Sequence, residues 1–149
     1  MDFTKIKFDG QKTEIRYFEE HGGGTVHKET VFRCNNERHE DFVYQASRLI
    51  EPALEVLQLP QDYSENIEFR SVSLSNNEHQ GMGAVITMMK TLPGMNAPFV
   101  MNTPHMHNAE DGDSQMPTEI YERLIKLQEE AEAFMKGKSA QGDMFAKAA

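Results

Sequence analysis

Ile67-Glu68-Phe69-Arg70-Ser71-Val72-Ser73-Leu74 and Met82-Gly83-Ala84-Val85-Ile86-Thr87-Met88, joined by the polar Ser75-Asn76-Asn77-Glu78-His79-Gln80-Gly81, decide the fold. Each run has strand length and the connection is of hairpin type. From Ala84 to Met89 the apolar character is nearly continuous, as in a strand covered on both faces, so this strand is expected at the centre of the sheet. Downstream, Pro98-Phe99-Val100-Met101-Asn102 predicts one more short strand, its proline suiting a strand start or a sheet edge. Upstream, Ile6 and Phe8 precede the turn signal Asp9-Gly10, and Ile15 and Tyr17 then face opposite to Glu14 and Arg16, which predicts a hairpin or meander. Gly22-Gly23-Gly24 interrupts the pattern before Thr25 to Cys34 resumes it. A phosphate-cradling loop would need a following Gly-Lys-Ser/Thr and a helix, so the three glycines read as a wide hairpin turn.

Two helices complete the picture. Asn35 and Asn36 are candidate N-caps, and Glu37, Glu40 and Asp41 put negative charge in a first turn. Phe42, Ala46, Leu49, Ile50, Ala53 and Leu57 then build one apolar stripe, which predicts a helix from about Glu37 to Leu57 with a kink or break near Glu51, before Pro52. The second helix follows Pro117. Ile120, Leu124, Leu127, Ala131 and Phe134 recur at helical spacing, with Tyr121, Ile125 and Gln128 on an adjoining stripe. Periodicity stops after Met135, and Lys136-Gly137-Lys138-Ser139-Ala140 reads as a linker. The expected fold is α+β: a mostly antiparallel sheet of five or six strands, two main helices and a flexible C-terminal tail, with residues 1–135 as one domain and 136–149 as the tail. The alternative is two β layers bridged by helices.

Composition narrows the partners. The 149 residues are 38% hydrophobic and 26% charged, enough for a folded core. No run approaches the roughly 18 apolar residues of a membrane span, and Met1-Asp2-Phe3-Thr4 lacks the pattern of a signal peptide, so no membrane association is expected. A formal net charge of −9 disfavours direct tight binding to nucleic acid. One cysteine, Cys34, makes no internal disulfide and fits a reducing cytoplasm; it reads as a small buried hydrophobe, with a catalytic thiol as the other choice.

Few residues suggest chemistry. His105 and His107, two apart, would point the same way in an extended segment, and with Asp111 and Asp113 they form a candidate metal cluster for a metal-dependent nuclease or hydrolase. Two histidines are fewer ligands than a zinc site takes. No Ser-His-Asp set, nucleotide loop or zinc-type cysteine pair is visible, so neither a cofactor nor enzymatic activity is expected. Met88, Met89, Met95, Met101 and Met106 crowd one stretch, read as core filling in a chain without tryptophan, or as an adaptable binding surface. Over residues 109–135 eight acids face two bases. Glu122, Glu129, Glu130 and Glu132 therefore offer an alternative function, a DNA mimic or inhibitor occupying a basic groove on another protein.

The C-terminal stretch carries the most specific signal. Gln141-Gly142-Asp143-Met144-Phe145 resembles the bacterial sliding-clamp-binding motif, Gln-x-Asp/Ser-Leu/Met-Phe, at all four specified positions. The resemblance covers five of 149 residues. The body is also similar to small proteins that phages encode among replication and recombination genes. These resemblances imply a non-enzymatic accessory of DNA replication or recombination in the cytoplasm of a bacterium or a phage-infected host. Its implied partner is the DNA polymerase sliding clamp, bound through Gln141, Asp143, Met144 and Phe145. The other expectation for Phe145 is that it folds back onto the domain.

Overall fold

The computed structural model describes residues 1–19, 28–77, 81–109, 114–140 and 142–143, with residues 77, 142 and 143 by backbone alone. The elements run β1 (Asp2–Asp9), β2 (Lys12–Phe18), β3 (Glu29–Cys34), α1 (Glu40–Ser47), α2 (Ile50–Val56), a 3-10 turn (Gln61–Ser64), β4 (Ile67–Asn77), β5 (Gly81–Lys90), β6 (Phe99–Asn102), β7 (Met106–His107), α3 (Thr118–Met135), β8 (Lys138–Ser139) and β9 (Gly142–Asp143). Strands β1 to β7 form one antiparallel sheet in the order β3-β2-β1-β4-β5-β6, with β7 also paired to β5. The fold is α+β, and its main sheet is a single layer.

Register shows how the sheet is covered. Phe32, Ile15, Ile6, Val72 and Ile86 stand opposite one another across five strands and point to the core. Opposed residues share a face and successive residues alternate, so the neighbouring rows face away from it. In β5, Met82, Ala84, Ile86 and Met88 are buried while Val85, Thr87 and Met89 are only half-buried. This corrects the expectation of a central strand covered on both faces. The middle of the sheet is the β1–β4 pair, and β5 lies one strand from the edge. The near-continuous run misled because valine and methionine also suit the outer face.

The helices close the core. The buried stripe Ile120, Leu124, Leu127, Ala131 and Phe134 of α3 packs with Phe42 and Ala46 of α1 and Ala53 and Leu54 of α2. Phe42 meets Phe8 edge-on at 5.0 Å and Phe134 at 5.4 Å. The helix expected over Glu37 to Leu57 is two helices, and the break falls at Arg48-Leu49 rather than at Glu51. Proline explains the position. The Pro52 ring would clash with the Arg48 carbonyl in a continuous helix, whereas in the first turn of α2 its missing N–H costs nothing. The cap of α1 is His39, whose Nδ1 accepts from the Asp41 N–H at 3.1 Å, and not Asn35 or Asn36.

Candidate functional site

Residues 136–140 are packed on the domain, unlike the linker expected of them. Gly137, at φ +109°, turns the chain off α3, and its N–H donates to the Phe134 carbonyl. Ser139 is buried and bridges to Arg38, and the Ala140 N–H donates to the Glu37 carbonyl at 3.0 Å. Lys138 Nζ donates to Asp41 Oδ2 at 2.9 Å and Glu130 Oε2 at 3.1 Å, tying α1 to α3. The hydrogen bond to Asp41 raises the Lys138 pKa against the opposing effect of burial, and the same bond lowers that of Asp41. Backbone pairing and small buried residues leave no hydropathy period, which is why this segment read as a linker. Beyond it, the backbone of Gly142–Asp143 pairs with Lys138–Ser139. Gln141, Met144, Phe145 and the Asp143 side chain, all four of the expected partner-binding groups, lie outside the described residues.

Both histidines lie beside one glycine of β5. β7 sets His107 opposite Gly83 of β5, and the imidazole of His105 also lies over that glycine. A Cβ at position 83 would stand 2.5 Å from both His105 Nε2 and Ser75 Oγ, so the glycine is what lets these side chains approach the strand. His107 is buried and His105 exposed. Ser75 is a neighbour that sequence spacing could not supply; Gly83 at the strand entry was the available signal. Among the described residues no group of three His, Cys, Asp or Glu side chains could hold a metal ion. Asp111 and Asp113 lie outside them.

Other candidates resolve into packing. Met88, Met101 and Met106 are buried in the core, as the core-filling reading has it, while Met95 is exposed. Cys34 is half-buried against the core, and its Sγ accepts from the Asn36 N–H at 3.4 Å. A partly open cavity of about 300 Å³ lies between α1 and the ends of β1 and β4, lined by Phe8, Val43, Ala46, Phe69 and Met89 with Arg38 at its margin. The Arg38 guanidinium stacks 4.1 Å over Phe8 and donates to the carbonyls of Gly10 and Lys12 and to Thr13 Oγ1. Burial lowers its pKa, and its donors are committed to the β1–β2 turn rather than to a ligand. On α3, Glu119, Glu130 and Glu132 are ion-paired with Arg123, Lys138 and Lys136, which dilutes the acidic stripe expected of a DNA mimic. No helix of the described residues is long and apolar enough to cross a membrane.

No protein family, curated protein or solved structure matches this chain.

Proposed function

We propose that this protein is a non-enzymatic accessory of DNA replication or recombination, recruited to the DNA polymerase sliding clamp by the peptide Gln141 to Phe145. The observation that carries the reading is the sequence Gln141-Gly142-Asp143-Met144-Phe145, which satisfies every specified position of the clamp-binding pattern. Anchorage of Ser139 and Ala140, with the backbone of Gly142–Asp143 paired to Lys138–Ser139, supports it by fixing the start of the peptide on the domain. In an apolar groove Met144 and Phe145 would each contribute about 1.5 to 3 kcal/mol of transfer free energy. Ordering the peptide costs about 1 kcal/mol or more per residue, so the net affinity is modest. A ring with repeated sites converts that modest affinity into a high local concentration beside DNA.

Calorimetric titration of purified bacterial sliding clamp with the full chain tests the reading. Replacing Met144 and Phe145 together by alanine removes a few kcal/mol of burial and should weaken binding about a hundredfold. Gln141→Ala should weaken it about tenfold, because one net hydrogen bond contributes about 0.5 to 1.5 kcal/mol. Absence of wild-type binding, or equal binding by the double variant, overturns the clamp reading.

A further inference from the structure

The net charge of −9 averages over two faces of opposite character. On the face of the sheet turned away from the helices, register sets Val31, Arg16, Lys5, Ser73 and Val85 in one row. The other row facing away holds Arg33, Glu14, Lys7, Ser71, Thr87 and Asn102. These rows hold four bases and one acid. That acid, Glu14, is shared, accepting from Arg16 Nε at 3.1 Å and Arg33 Nε at 3.0 Å. Lys5 and Lys7 have no carboxylate partner among the described residues. The other members are hydroxyl, amide or small apolar side chains. Asp2 and Glu29 border the face at one end, Glu68 and Asp9 at the other, Asp9 next to Lys7 on β1 and ion-paired with Arg70, and the acids of α3 lie across the core from it.

We propose that this open face, centred on Lys5, Lys7, Arg16 and Arg33, is a seat for the sugar-phosphate backbone of a single-stranded nucleic acid. Charge complementarity selects a polyanion, because a basic strip, with Arg33 exposed and Lys5, Lys7 and Arg16 half-buried, lies on a molecule that is acidic elsewhere. The acids around the strip repel phosphate and so orient the approach. Shape selects a single strand. At about 4.8 Å per strand the six-strand face is roughly 24 Å wide, too broad for the roughly 12 Å major groove of a duplex. A flexible single strand can lie along the face and bring successive phosphates to Lys5 and Lys7, which stand about 6.7 Å apart on one strand. The inference does not depend on the clamp reading.

Fluorescence anisotropy of a labelled oligothymidylate of about 20 nucleotides, titrated with the full chain from about 25 to 200 mM salt, tests it. Three net charges predict saturable low-salt binding whose log K falls with log salt at a slope of about −2. Lys5→Glu with Lys7→Glu should weaken binding at least about tenfold and flatten the slope, and the milder Lys5→Gln with Lys7→Gln should act in the same direction. Lys126→Glu with Lys136→Glu, on α3, should leave affinity within about twofold. Circular dichroism of each variant confirms the fold. Four results overturn the proposal: no binding at the lowest salt, equal losses from the sheet and helix variants, tighter binding of a duplex of the same length, or equal binding of polyglutamate, which would make the partner an acidic protein.

Discussion

Glu14 shows what a single outward-facing residue does in this sheet. Burial acts to raise its pKa, but hydrogen bonds from Arg33 and Arg16, with their positive charges, outweigh it and hold the carboxyl below its ordinary value of 4.5. A carboxylate whose folded pKa is depressed stabilises the fold above its unfolded pKa, and that contribution disappears as pH falls through the folded value. The expected result is a difference in thermal midpoint between wild type and Glu14→Gln that is present at pH 7 and closes on acidification below 4.5. A difference independent of pH would mean that the ion pairs contribute nothing and that the variant merely packs differently. The Glu14 and Arg16 face was readable from alternation within β2. The Arg33 partner was not, because it depends on the register between β2 and β3, which alternation within one strand does not set.

Elements repeat the lesson at larger size. In β5 the alternation of burial, and not the apolar run, defines the two faces, so matched truncations should differ sharply. Ile86→Ala, in the fully buried row, should cost about 2 to 5 kcal/mol through lost burial and a cavity. Val85→Ala, beside Ser73 on the open face, should cost under about 1 kcal/mol. Denaturant midpoints of the two variants measure this, and equal losses would restore a strand covered on both sides. The stripe of α3 was legible in full because burial on one side of a helix imposes a period of 3.6. The split between α1 and α2 was half legible. Pro52 announces a break, but the sequence could not show that proline is accommodated by starting a new helix before it rather than by kinking at it.

Across the whole molecule the question is where the domain ends, and the packing of residues 136–140 answers it differently from the hydropathy pattern. Lys138 bonds to both Asp41 and Glu130, Ser139 bridges to Arg38, and the Ala140 N–H is satisfied by Glu37, so the segment joins α3 to the chain around α1. None of this was visible beforehand, since it depends on backbone pairing and on charges brought together from 97 residues apart. The candidate site was legible in the opposite sense: the motif Gln141 to Phe145 is readable only as sequence, and the role proposed for it depends on a partner's surface rather than on this fold. Removing residues 136–149 should therefore lower the thermal midpoint by several degrees, because net hydrogen bonds of about 0.5 to 1.5 kcal/mol each are lost and each kcal/mol moves a chain of this size by roughly 2 to 4 °C. Removing residues 144–149 alone leaves every one of those contacts in place, so its midpoint should match the wild type while clamp binding is abolished. Scanning fluorimetry of the two truncations, paired with the clamp titration, separates anchor from ligand. If the longer truncation melts with the wild type, residues 136–140 contribute nothing to the fold, and the boundary returns to Met135.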